Sequence, residues 1–265
     1  MEINKNLKYL FTLIFIVIVY SFSSCQKDDA TADYARPVVE AYLIPGQALQ
    51  VKVYYQKYLE DTISYGFPIT GLALKVSDGT SNVSLTETKS GVYTFADPNF
   101  IKDNKSYALS FTYLDKTISA QTTIPTKPVN FKASSTQQEV PAMTFGSTPK
   151  TFIPVMYSWA NAISDYYMLS IQNIETYPTA ISRNTRLKSE VLVGQVSTYN
   201  TEAMNFSYAG NHKVLLFHIN KEYNDALKNI SGNSLNLTNP STNVTNGLGI
   251  FTGLRADTLD LFVYQ

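Results

Sequence analysis

Between Tyr107 and Tyr113 every second side chain is large and apolar: Tyr107, Leu109, Phe111 and Tyr113, with Ala108, Ser110 and Thr112 between them. Period two marks an extended strand with one buried face, because successive side chains point to opposite sides of the backbone. The alternation recurs. Leu49, Val51, Val53 and Tyr55 share one face, and Gln50, Lys52 and Tyr54 share the other. Leu72, Leu74 and Val76 alternate with Ala73, Lys75 and Ser77, after which Asp78-Gly79 supplies a turn. Val38 to Leu43, the pairs Val83/Leu85 and Tyr93/Phe95, and Thr117 to Ile124 add further short strands. Ser90-Gly91, Asp97-Pro98, Asp103-Asn104 and Asp115-Lys116 separate them. About seven short strands at this spacing, with no helical stretch, predict a β-sandwich over residues 37–125.

Ile124-Pro125-Thr126-Lys127-Pro128 interrupts the pattern, since two prolines remove backbone donors and stiffen the chain. A second domain is expected over 126–265. Val129 to Ala133 restarts the alternation, and Ser134 to Lys150 is polar and reads as a loop. Val155, Tyr157 and Trp159 alternate with Met156 and Ser158; Tyr167, Leu169 and Ile171 alternate with Met168 and Ser170. In His212 to Asn220, Leu215, Phe217 and Ile219 share a face. Tyr223, Leu227 and Ile230 then fall at helical spacing, with Asn220 as a cap and Asp225 three residues from Lys228, so a helix is expected near 221–230. Thr258 to Tyr264 is the expected final strand. The fold class is all-β: two tandem sandwiches, the second with a short helical insertion.

Composition narrows the partners. The chain carries 21 basic and 21 acidic residues, and the first 24 positions hold Lys5, Lys8 and Glu2, so residues 25–265 carry a net charge of about −1. That leaves no footprint for nucleic acid. Cys25 is the single cysteine, which excludes an intrachain disulfide and leaves stability to core packing.

The beginning of the chain has a different character. Lys5 and Lys8 precede an apolar run from Tyr9 to Tyr20, and Ser21-Phe22-Ser23-Ser24-Cys25 follows. Twelve residues are too few to span a bilayer core of about 30 Å at about 1.5 Å per residue, but they suit a signal-peptide core. Small residues before Cys25 resemble the lipobox of bacterial lipoproteins, although Phe22 stands where Leu is usual. The resemblance implies that residues 1–24 are a cleaved signal peptide. It implies that Cys25 takes diacylglycerol and palmitate-type acyl chains, anchoring the protein stably, and that 25–36 is the acylated tether. Gln26-Lys27-Asp28-Asp29 resembles the signal that carries Bacteroidota lipoproteins to the outer face of the outer membrane; the plainer reading is a solvated tether. The expected location is the outer membrane, lipid-anchored and exposed at the cell surface.

Two resemblances cover the folded part. Pro68 to Leu72 followed by Gly91-Val92-Tyr93 resembles carboxypeptidase-regulatory and related Ig-like modules. Pro128, a Trp-bearing strand and Tyr167-x-Leu169-x-Ile171 resemble the first half of a fibronectin type III domain, which implies that Trp159 fills the core. The helix departs from that family. Asn246-Gly247-Leu248-Gly249-Ile250-Phe251, after Asn239-Pro240, resembles the tail of a family of two-domain Bacteroidota surface lipoproteins known as a domain of unknown function. No activity, substrate or cofactor comes with it.

No catalytic or metal constellation emerges from the residues, so no catalytic residue, metal or cofactor is assigned and a non-enzyme is expected. His212 and His218 lie on one strand face but about 20 Å apart, too far to share a metal. Gly247, Gly249 and Gly253 do not make a dinucleotide fingerprint. Asp97, Asp103 and Asn104 are candidate calcium ligands or a solvated loop. Asp61-Thr62-Ile63 and Asp257-Thr258-Leu259 resemble the O-glycosylation site of exported Bacteroidota proteins, which makes Thr62 and Thr258 candidate acceptors. Tyr54, Tyr55, Tyr58 and Tyr65 either stack on sugar rings or cover the sandwich edge. Asn246 to Gly253 either packs on the sandwich or displays Phe251 to a partner. The resulting expectation is a membrane-anchored binding or accessory module for a glycan, a peptide or an outer-membrane transporter. The alternatives are an adhesive or structural spacer and, third, a hydrolase with a carboxylate pair assembled in space.

Overall fold

The computed structural model describes residues 36–56, 66–142, 150–181, 189–230 and 241–265. The first half supplies β1 (Pro37–Leu43), β2 (Leu49–Tyr55), β3 (Lys75–Ser77), β4 (Asn82–Ser84), β5 (Thr86–Lys89), β6 (Val92–Phe95), β7 (Ser106–Tyr113) and β8 (Lys116–Thr123). In β7 the expected alternation is literal: Tyr107, Leu109 and Phe111 are buried between exposed Ser106, Ala108, Ser110 and Thr112. β2 spans the expected residues, but Tyr55 at its end reaches the surface and lies edge-on to Tyr113, with ring centroids 6.4 Å apart. β7 and β8 are joined through Leu114 and Asp115, both at positive φ as a type I′ hairpin requires, one residue earlier than the turn read from sequence.

The second half supplies β9 (Val129–Ala133), β10 (Gln137–Glu139), β11 (Met156–Ala160), β12 (Tyr166–Asn173), β13 (Thr179–Ala180), β14 (Glu190–Gly194) and β15 (Thr198–Asn200). β16 (Tyr208–Ile219), helix α1 (Lys221–Ile230), β17 (Val244–Thr245) and β18 (Leu248–Tyr264) complete it. The polar stretch read as a loop thus contains a strand, β10. Its Gln138 is buried; the side chain donates to the Glu139 and Ile153 carbonyls and accepts from Thr201 Oγ1 at 2.7 Å.

These strands make a ten-stranded sheet in the order β14-β12-β16-β18-β1-β2-β6-β5, with β10 on β18 and β13 on β16. A five-stranded sheet, β17-β8-β7-β3-β4, and a three-stranded sheet, β15-β11-β9, lie against it. One core joins Val39, Val51, Tyr93, Leu109 and Ile118 between the ten- and five-stranded sheets. A second joins Phe131, Tyr157 and Trp159 to Leu169, Leu216 and Leu261, between the three-stranded sheet and the other end of the large one. Trp159 is 4% exposed and packs beside Phe131 and Tyr167, so it is a core residue as expected. The fold is all-β, built of two-layer sandwiches.

The last strand departs most from the sequence reading. The alternation places its start at Thr258, yet it begins at Leu248. Leu248–Gly253 pair in parallel with Val38–Leu43 of β1, while Leu254–Val263 pair antiparallel with β16. Phe251 and Val244, placed by sequence in the second domain, lie in the first core. The strand escapes notice in the sequence because both faces of its first half are covered, so apolar residues follow one another and the period-two signal disappears.

Helix α1 forms where expected. Tyr223 and Leu227 pack on Met168, Ile219 and Leu254, on the face of the large sheet away from the second core. Asn220 stands at the helix start: its carbonyl accepts from the Asn224 N–H at 3.1 Å, and its carboxamide NH2 donates to Thr122 Oγ1 and the Thr123 carbonyl of β8. Asp225 pairs with Lys221, and Lys228, which lies over the Tyr166 ring, adds a weaker attraction to the Asp225 carboxylate.

Candidate functional site

At the end of β18 the alternation is regular again. Leu261 and Val263 point into the second core, so Phe262 and Tyr264 must point out. They are 44% and 39% exposed, and their rings are nearly parallel, 20° apart in plane with centroids 6.4 Å apart. Cross-strand register sets their neighbours. Gln137 of β10 and Asn211 of β16 flank Phe262, Glu139 flanks Tyr264, and Asp260 sits opposite Lys213. These polar groups are held in place. Glu175 accepts from the Asn211 backbone N–H at 2.7 Å and from its carboxamide at 2.8 Å. Glu139 pairs with Lys150, and Asp260 with Lys213. Gly210, at φ +100°, leaves room for Glu175; a Cβ there would meet the carboxylate.

Two exposed aromatic faces ringed by amides and charges suit an amphipathic ligand. An aromatic face can bury apolar surface, and amides and charges beside it can exchange hydrogen bonds with polar groups. Sequence reasoning finds this strand but not its outer face. Leu259, Leu261 and Val263 announce a core face, and nothing in one sequence separates an outward aromatic that binds from one that only forms strand.

Cys25, Gln26, Lys27, Asp28, Asp29 and Thr62 lie outside the described residues, as do Tyr58 and Tyr65. Thr258 is exposed on β18; its N–H donates to Asp257 Oδ1 at 3.0 Å, and Asp257 pairs with Lys127 at 2.8 Å. Tyr54 is half-buried. Asp97 and Asp103 do not act together: Asp97 accepts from the Asn99 N–H, and Asp103 pairs with Arg255 at 2.9 Å. Asn104 is a turn residue at φ 59°.

Both histidines are buried. His218 bonds through Nδ1 to the Thr126 carbonyl at 2.8 Å, lies 3.2 Å from Asp165 through Nε2, and stacks on Tyr167. It ties the linker to the second core. His212 contacts the Gly210 carbonyl, and burial pushes its imidazole below the ordinary value. Phe251 is fully buried, so it is not displayed to a partner. Gly249, at φ +96°, lies so close to Val39 that a Cβ would collide with the Val39 carbonyl. The glycine-rich segment is structural. A shallow groove on the outer face of the five-stranded sheet is lined by Lys75, Ser77, Asn82, Ser84, Ala108 and Ser110.

The class is therefore that of an all-β sandwich protein whose exposed aromatic pair lies on the strand shared by both cores. Residues 29–260 match the family described as Domain of unknown function (DUF4249), and the chain belongs to that family. No curated protein matches the chain.

Proposed function

We propose that this DUF4249 protein is a surface lipoprotein of the outer membrane, anchored through Cys25, that acts as a non-catalytic binding or accessory module. Its partner is a glycan, a peptide or an outer-membrane transporter. The observation that carries the reading is the Phe262–Tyr264 pair with its fixed polar rim. Gln26 to Asp29 serve as the export signal, and Thr258, exposed beside Asp257, is a candidate for O-glycosylation. Asp78 and Asp225 are engaged in surface ion pairs with Lys105 and Lys221, which hold both carboxyls below the usual range.

The second reading, a structural spacer, is favoured by a specific observation, the continuity of β18 through both cores. Pull-down from native membranes separates the two. A Phe262→Ala/Tyr264→Ala protein should fold normally and lose its co-purifying partner or sugar at least tenfold, as expected when aromatic anchors dominate an interface. Undiminished capture by that variant removes the aromatic face from function and favours the spacer. Membrane fractionation of Cys25→Ala tests the anchor in parallel: release is expected, and full retention contradicts it.

A further inference from the structure

Tension on a tethered protein enters through the tether, here the residues before Pro37. β1 receives it, and β1 is an interior strand, with β18 on one side and β2 on the other. Its pairing with β18 is parallel, from Val38 opposite Leu248 to Leu43 opposite Gly253. Because the strands are parallel, β18 continues beyond Gly253 in the direction in which β1 points. There it pairs with β16 over Leu254–Val263 as part of the second sandwich. A pull between Pro37 and the second sandwich therefore runs along the strands. Cross-strand hydrogen bonds loaded along the strand axis share the load and must fail together. Loaded across the sheet, they open one after another from an end.

The register is pinned against slip. Gly249 fits against the Val39 carbonyl because it has no Cβ, so a slide by one residue in either direction, which brings Leu248 or Ile250 there, meets a collision. A slide by one residue turns buried Ala41 and Phe251 out of the first core. The edge of β18 away from β1 is held by Asn243, which accepts from the Phe251 N–H at 3.0 Å and donates to the Phe251 carbonyl at 2.7 Å.

We propose that the β1–β18 ladder is a mechanical clamp, carrying tension between the membrane tether and the second sandwich in shear. The physiological direction of load rests on the lipid-anchored reading; the clamp itself is a property of the fold.

Single-molecule force spectroscopy on purified Cys25→Ala protein tests it. Cysteine handles at Ala30→Cys and Gln265→Cys load the ladder along its strands. Handles at Ala30→Cys and Thr80→Cys direct the load across to the facing sheet, through the turn between β3 and β4. Chemical denaturation should give one midpoint for both handle variants, while rupture force should be severalfold higher in the first geometry. Asn243→Ala should lower the force in the first geometry and leave the second unchanged. Equal forces in the two geometries, or an Asn243→Ala effect of the same size in both, overturns the clamp. These measurements use no membrane, so their failure is distinguishable from retention of Cys25→Ala in membranes, which would sink the anchor instead.

Discussion

His212 shows how one buried side chain fixes a dependence on pH. Its imidazole contacts the Gly210 carbonyl at 3.0 Å and lies edge-on to Phe206, and desolvation is the largest cause of its lowered pKa. Glu175 and the Gly210 carbonyl pull the other way but do not prevail. Above the ordinary value of 6.5 the ring is neutral whether the chain is folded or not, so no stability is lost. As pH falls below that value the unfolded chain takes up the proton first, and folding weakens until the lowered native value is passed. The denaturation midpoint should fall as the pH drops below the ordinary imidazole value of 6.5, and His212→Gln should flatten that limb. An identical acid limb in the variant would assign the effect elsewhere. Asp78 behaves with the opposite sign. Its pKa is lowered, chiefly by Lys105, so its contribution is present above the ordinary carboxylate range and fades as the pH falls through the native value.

At the scale of elements, legibility follows burial. β7 and β2 are readable because one face is buried and the other is wet, which writes period two into the sequence. Helix α1 is readable because Tyr223 and Leu227 face the sheet while Lys221 and Lys228 do not. Short strands such as β10 and β15 are not, because three residues with few apolar side chains leave no period to detect, and in β14 the consecutive Val191, Leu192 and Val193 show no alternation. The first half of β18 is hidden for the opposite reason: it is buried on both faces. Its glycines are legible as sites of close approach but not as strand. The aromatic face is invisible because outward orientation depends on the register with β10 and β16. Gly249→Val tests the element directly. A valine there meets both a positive φ and the Val39 carbonyl, so a loss of about 3 kcal/mol or more is expected in chemical denaturation. A loss under about 1 kcal/mol would mean that β1 and β18 do not approach as described.

For the whole molecule, the consequence of a shared strand is cooperativity. Two sandwiches on a flexible linker melt independently, whereas here one strand is a structural member of both cores. Residues 244 and 251 belong to the first core although the linker at 124–128 precedes them by more than a hundred positions. Further ties cross between the halves: Glu222 accepts from Thr122 Oγ1 at 3.0 Å, and Arg255 pairs with Asp103. Phe262 and Tyr264 are thus joined to β1 through a single sheet. Trp159, the only tryptophan, reports on the second core alone, which makes the claim measurable. Phe251→Ala empties a site in the first core at a cost of about 3–5 kcal/mol. Followed by Trp159 fluorescence and by far-ultraviolet circular dichroism, the denaturation of Phe251→Ala should show one shared midpoint, lowered equally by both probes. A Trp159 transition that stays at the unsubstituted midpoint while the circular dichroism splits in two would contradict the account.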